Sequence, residues 1–565
     1  MRRGAVNDTF SASKDPKNDK KPVRIELYDT SLRDGAQSEG VSFSLNDKLA
    51  VTYRLDDLGI DYIEGGYPAS NEKDKAYFER VSEKKPSLAS ICAFGMTRRK
   101  GVNPEDDLGL AALVESNAEI VTVVGKSSAF QAKNVLGVSL EENLAMVDDT
   151  LRFVARTGKR VFYDAEHFFD GWKDDPEYSL ETLRAAVRAG AEAITLCDTN
   201  GGSMPNEIAA GVSAALEAAQ KVSPDRKVII GIHTHNDCGL AVANTLAAVE
   251  AGATLVQGTI NGLGERCGNA DLLVVAANLS LKFNGKYETL KPGALERLTQ
   301  FSRFMYELTN IHPNVAQPYV GASAFAHKGG MHVNGINKDS KSYEHVSPAL
   351  VGNERRVLVS ELSGKSNIVA FLKKYQLEEE APNPETVAKI LEKVTHKESL
   401  GYQYEAADGS FKLLVRKVKG EFIPSFKRLN FQTSVIVNDV NESLTTKATV
   451  ATVKLRVGRR GELRHEVAEG DGPVDALNNA LRKAVEPIYP ELRDMKLVDY
   501  KVRVLNSDAG TAATTRVIIE SKDGEEHWST IGVSENVVEA SWIALCDSIE
   551  YKLAKSIDYK DKANR

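Results

Sequence analysis

The sequence has little cysteine, no long apolar run and no excess of basic charge. Its five cysteines (Cys92, Cys197, Cys238, Cys267 and Cys546) are scattered without a CxxC spacing. That argues against a disulfide framework and reads as reduced thiols in a cytoplasmic compartment. No apolar stretch approaches the roughly 18 residues of a membrane span. A formal net charge of −7 excludes the basic footprint of a nucleic-acid binder. Residues 1–22 also lack an apolar stretch, so they read as a disordered tail rather than a signal peptide. Phosphate loops are missing too. Gly125-Lys126-Ser127 and Gly364-Lys365-Ser366 have Ile120 and Val359 where a P-loop needs its earlier glycine. Gly262-Leu263-Gly264 with Gly268 has the wrong last spacing for a dinucleotide fingerprint.

What is there belongs to a globular protein: 42% hydrophobic and 27% charged residues over 565 positions, long enough for three or four structural units. The most informative stretch is Gly231-Ile232-His233-Thr234-His235-Asn236-Asp237, which follows the β-branched run Lys227–Ile230. Strand side chains alternate faces, so His233 and His235 point the same way. Two imidazoles together at a strand end suit a divalent metal better than a core. An isolated pair of this kind is also compatible with solvated histidines.

The surrounding chain raises the metal reading. Eight apolar runs alternate with amphipathic stretches between residues 23 and 285. They begin with Ile25–Tyr28, Tyr62–Ile63, Ser90–Phe94 and Ile120–Val124. Arg160–Tyr163, Ala193–Leu196, the histidine strand and Thr254–Thr259 follow. Gly190 and Gly252 mark helix ends. This pattern predicts an α/β fold, a (β/α)8 TIM barrel, whose chemistry gathers at the carboxyl ends of the strands. Arg33, Asp34, Glu64, Glu166, Thr199, His233 and His235 all fall there. Structural caps would account for one or two of these groups, but hardly for all.

From 286 to 420 the pattern predicts a helical linker region, with helices over Pro292–Leu308, Asn367–Tyr375 and Pro384–His396. The His332 segment, Ala324–His332, reads as a Gly- and His-rich loop. From 421 to 565 strands return, at Thr433–Val437, Ala448–Arg456, Tyr500–Leu505 and Thr515–Ile519. Pro473-Val474-Asp475-Ala476-Leu477 is echoed by Val537-Val538-Glu539-Ala540-Ser541, which predicts an α+β domain of two βββα halves. Few of its residues suit bond-breaking, so regulation or dimerisation is the expectation.

Asp34 adds a hard oxygen from the first strand to the two imidazoles of the seventh, and Asn269 can add a neutral one. Such a set, with positions left open, suits Zn2+, Mn2+ or Mg2+ as a Lewis acid. Taken alone, Asp34 could equally be a helix cap. Arg33 matches an oxyanion or a carboxylate. Glu166 suits a general base and Thr199 a hydroxyl donor. His332, outside the barrel pattern, reads on its own as a loop histidine.

Asp29–Gln37, the His233–Asp237 stretch and the Gly264–Asn269 loop together resemble the metal-dependent barrel family of 2-isopropylmalate, homocitrate and citramalate synthases. Glu64–Pro68 and Phe162–Gly171 resemble its citramalate-forming branch most. The resemblance implies Asp34, His233, His235 and Asn269 as metal ligands. It implies contacts from Arg33, Gln37 and Thr199 to a 2-oxo acid, and acid–base work by Glu166. It further implies that His332 and Tyr343 form a catalytic pair supplied by the partner of a homodimer. Asp164 stands where relatives differ and bears on substrate size. The implied reaction condenses acetyl-CoA, the co-substrate, with pyruvate, and a branched-chain amino acid would be the effector.

Four alternatives stand against this. A larger 2-oxo acid would make the chain a 2-isopropylmalate or homocitrate synthase. A metal-dependent carbon–carbon lyase or aldolase usually carries a Gly-Cys-Pro-type loop where this chain has Gly264–Asn269. Hydrolase barrels place the histidine pair on the first strand. A non-catalytic amino-acid sensor is the remaining alternative.

Overall fold

The computed structural model describes residues 21–357, 368–369, 372, 383–440, 443–505, 512–524 and 526–563. The expected tail therefore lies outside the described residues, as does most of the expected helix Asn367–Tyr375. Two compact units form. One runs to Phe325 and takes back Glu344–Arg355; the other holds Ala326–Tyr343 and the chain from Arg356 onward.

The first unit is a closed eight-stranded barrel. Its strands are β1 (Glu26–Asp29), β2 (Tyr62–Gly66), β3 (Ser90–Met96), β4 (Ile120–Lys126), β5 (Arg160–Glu166), β6 (Ala193–Asp198), β7 (Ile229–Thr234) and β8 (Leu255–Gly258). All pairs are parallel, and the ring closes where Glu26 lies opposite Leu255 and Asp29 opposite Gly258. The strands are nearly continuous apolar runs because both faces are covered. One face packs on the surrounding helices through residues such as Ile63, Val121, Ile194 and Ile232. The other fills the barrel bottom with Tyr28, Tyr62, Cys92, Ile120 and Phe162.

Local chemistry sets where the helices start and stop. Ser44 caps the helix Leu45–Leu58 in a reciprocal box with Asp47, a contact whose loss costs about 1 kcal/mol. The helix Pro176–Ala189 ends at Gly190, which takes a left-handed φ of 106°. Gly65 is needed for close approach: a Cβ there would sit 2.1 Å from the Tyr77 ring. That lets the helix Glu72–Glu83 press against the end of β2.

In the second unit, the segment read as a loop around His332 is a short helix, Gly330–Lys338. Helices Pro384–Ser399 and Asp408–Lys419 follow. Two antiparallel three-stranded sheets come next. The first comprises β9 (Phe426–Val440), β10 (Ser443–Val457) and β11 (Glu462–Gly470), followed by the helix Pro473–Val485. The second comprises β12 (Lys496–Val504), β13 (Thr515–Lys522) and β14 (His527–Ser534), followed by the helix Val537–Ala563. The βββα repeat is thus present. Among the described residues no helix is long and apolar enough to cross a membrane.

Candidate active site

At the carboxyl end of the barrel, Asp34, His233 and His235 are buried together, with one ligand atom from each within 4.8 Å of the others. His233 Nε2 lies 3.2 Å from His235 Nε2 and 3.5 Å from Asp34 Oδ2. Strand alternation aims both imidazoles inward, as the spacing predicts. His235 pairs as an isolated bridge with Asn269, so the loop after β8 closes over the cluster. The Asn269 side chain donates to Leu263 O through Nδ2 at 3.0 Å, while its buried Oδ1 has no hydrogen-bond partner among the described residues. Gly264, at φ +157°, makes room for it, since a Cβ there would lie 2.2 Å from Asn269 Nδ2.

The protonation states suit a cation. Burial lowers the His233 pKa, against the pull of Asp34. Burial, then the neighbouring His233, pushes His235 down to about 4. For Asp34 burial works the other way, but Arg33 and the two imidazoles outweigh it and hold the carboxyl below its usual range. Two neutral imidazoles, an ionised carboxylate and an orphaned amide oxygen form a donor set that fits a divalent metal. Buried polar atoms without partners are otherwise costly.

Around this cluster is a cavity of about 260 Å3, lined among others by Arg33, Phe94, Val124, Lys126, Asp164, Glu166 and Thr199. Arg33 Nε donates to Glu64 Oε2 at 2.6 Å, and its guanidinium carbon sits 3.9 Å above the Phe94 ring centroid. Glu64 is fully buried and also accepts from the hydroxyls of Tyr28 and Thr30. Burial works against the Arg33 charge, but the Glu64 and Asp34 carboxylates outweigh it and hold the guanidinium pKa above its ordinary value. The remaining guanidinium donors face the cavity beside Asp34, with NH1 3.5 Å from Asp34 Oδ2.

Behind the histidines runs a buried relay. Gln257 Oε1 lies 3.0 Å from His233 Nδ1, and its Nε2 donates to Asp164 Oδ1 at 2.9 Å and to Thr195 Oγ1 at 3.1 Å. With its amide so oriented, Gln257 Oε1 accepts a hydrogen bond from His233 Nδ1–H, which leaves Nε2 unprotonated toward the cluster. Burial, then the Glu64 charge, pushes Asp164 up to about 7, with Arg33 opposing. Glu166 forms an ion pair with Lys126. Thr199 Oγ1 accepts from the His167 backbone at 2.8 Å, which leaves its hydroxyl proton to donate.

The structure therefore gathers Arg33, Asp34, Asp164, Glu166, Thr199, His233, His235 and Asn269 at one mouth. Gln37 is exposed and lines a neighbouring groove rather than this cavity. His332 and Tyr343 lie in the second unit, where their rings stack with centroids 4.0 Å apart. Sequence reasoning missed Lys126, set aside as part of a failed phosphate loop, and Gln257. Their position at or near the ends of β4 and β8 was the signal available for both.

A closed parallel barrel with a carboxylate–diimidazole cluster at the carboxyl ends of its strands defines a barrel enzyme with a metal-capable site. Residues 24–303 match the HMGL-like family model, 319–399 the homocitrate synthase post-HMGL domain-like model, and 405–553 the LeuA allosteric (dimerisation) domain. The chain is 48% identical to the (R)-citramalate synthase of Geobacter sulfurreducens, covering 94% of this chain and 98% of that one. It is 46% identical to the (R)-citramalate synthase of Synechocystis sp., over 94% and 97%. With a 2-isopropylmalate synthase of Methanocaldococcus jannaschii it shares 31% over 94% and 96%. The chain belongs to the (R)-citramalate synthase family.

Proposed function

We propose that this protein condenses the acetyl group of acetyl-CoA with pyruvate and hydrolyses the thioester, giving (R)-citramalate and free CoA. The observation that carries the reading is the juxtaposition of the Asp34–His233–His235 cluster with the Arg33 guanidinium in one cavity. A divalent cation there (Mn2+, Mg2+ or Zn2+), held by those three residues and Asn269, would polarise the keto group of the 2-oxo acid.

The chain's own groups supply the rest. Arg33, fixed by Glu64 and Phe94, presents donors where negative charge develops on the keto oxygen. Thr199 offers its hydroxyl proton to the substrate carboxylate. Glu166, beside Lys126, takes part in proton transfer at the acetyl methyl. Phe94, Val124 and Asp164 line the cavity, and its limited volume favours a 2-oxo acid with a small side chain. His332 and Tyr343 act together as the pair that a second copy of the chain contributes.

The C-terminal unit supports a homodimer with amino-acid regulation: its match is to a domain named for both roles. Its β11 and β12 strands also expose Leu463, Val467, Val502 and Val504, apolar positions that a second copy could cover. The effector in this reading is isoleucine or leucine. Release of free thiol from acetyl-CoA across a panel of 2-oxo acids tests the activity. Pyruvate should give the largest kcat/KM, and preference for 2-oxoisovalerate would overturn the substrate assignment.

A further inference from the structure

We infer that His167 is a positioning residue whose left-handed backbone orients the Thr199 hydroxyl for the carboxylate of the 2-oxo acid. The inference rests on the reading above that Thr199 meets that carboxylate. Among the described residues, six that are not glycine have a left-handed φ, and three of them are asparagine, which tolerates it. Of the other three, His167 at φ 58° and Arg266 at φ 55° hold one and the same residue. The His167 N–H donates to Thr199 Oγ1 at 2.8 Å, and Arg266 Nη2 donates to Thr199 O at 2.8 Å. Such backbone persists only where the surroundings impose it.

The surroundings do so at the end of β5. Glu166 closes that strand and lines the cavity together with Thr199. The helix Phe168–Asp174 follows after His167 alone. That helix has no room to shift: Phe168 and Phe169 are fully buried, and a Cβ on Gly171 would lie 2.5 Å from Ser127 O. His167 therefore makes the whole turn by itself. Its φ of 58° and ψ of 30° bring the chain into the helix while its N–H still points across to the end of β6. With strand and helix held, relaxing His167 to an ordinary φ would rotate the peptide plane that carries this N–H away from Thr199.

A threonine hydroxyl carries one proton and rotates to suit its partners. Accepting the His167 N–H narrows that rotation and commits the proton to another acceptor. Arg266, paired with Asp237 at 2.8 and 3.0 Å, fixes the Thr199 carbonyl, so the hydroxyl is the part His167 governs. The imidazole matters less. Its Nδ1 lies 3.4 Å from Asp170 Oδ2, which already accepts from Asn200 Nδ2 at 2.7 Å.

The test separates backbone from ring. His167→Gly removes the ring but adopts the left-handed turn freely, His167→Asn tolerates it, and His167→Val resists it. In His167→Val the KM for pyruvate should rise roughly fivefold or more, the worth of one hydrogen bond, while the KM for acetyl-CoA moves less than about twofold. His167→Gly and His167→Asn should stay within about threefold of wild type for both substrates. Where His167→Val folds poorly, His167→Ala is read for the same split. Added to Thr199→Val, the His167 substitution should raise the pyruvate KM by less than about twofold more, because both act through one hydroxyl. A loss in His167→Gly equal to that in His167→Val, or additive losses with Thr199→Val, would overturn the inference. An unchanged pyruvate KM in Thr199→Val would overturn the Thr199 contact beneath it. A raised KM there, with His167→Val unchanged, would overturn the positioning role alone.

Discussion

Arg33 is held between Glu64, which accepts from its Nε at 2.6 Å, and the Phe94 ring, 3.9 Å below its guanidinium carbon. One edge of the fork is thus committed to the protein, and the remaining donors face the cavity next to Asp34. A donor fixed in this way needs no reorganisation when charge develops on a substrate oxygen.

Loss of such a donor costs about 2.7–4 kcal/mol in the transition state. Arg33→Ala should therefore lower turnover by roughly a hundredfold or more, with bound metal retained. Steady-state kinetics alongside metal analysis checks this. Glu64→Gln removes the anchoring charge but not the donor, so its loss should be smaller. Near-normal turnover in Arg33→Ala would remove Arg33 from the chemistry.

Gln257 fixes the His233 tautomer from behind. Gln257→Met keeps the volume and removes both hydrogen-bonding ends. Metal affinity should fall about 10–100-fold, the usual cost of losing such an outer partner. Competition with a fluorescent chelator reads this directly, and unchanged affinity would show that His233 needs no such support.

Asp164 is raised to about 7 in the folded chain, chiefly by burial, against about 3.9 when unfolded. Between those values the folded state binds more protons than the unfolded one, so this group's stabilising contribution is full below about pH 4 and is lost as pH rises toward 7. Asp164→Asn removes that dependence. In chelator-treated protein, the melting temperature of the variant relative to wild type should rise from pH 4 to pH 7. A flat difference would contradict the burial argument.

The C-terminal region carries the proposed amino-acid response. A chain ending at residue 400 should lose inhibition by isoleucine and leucine. Inhibition that survived the truncation would place the effector site elsewhere.

Much of this was legible in the sequence because the physics is local. The alternation of β-branched runs with glycine-stopped helices dictates a parallel barrel. The spacing of His233 and His235 places both on one face of β7. Other features depend on contacts between distant segments. Gln257 looks like one polar residue in an apolar strand until β7 and β8 pair. Lys126 resembles a failed phosphate loop until Glu166 arrives from β5. The strand Glu462–Gly470 was missed because charged and polar residues run along most of it. The helix carrying His332 contains Gly330 and Gly335, which read as loop on propensity alone.

The most direct measurement of the central claim is thiol release from acetyl-CoA with pyruvate, before and after exhaustive chelation, in wild type and in His235→Ala. The account predicts that chelated wild type is inactive and recovers on adding Mn2+ or Mg2+. It predicts that His235→Ala stays inactive and binds the cation at least tenfold more weakly. Undiminished thiol release after chelation, or full metal affinity without His235, would contradict it.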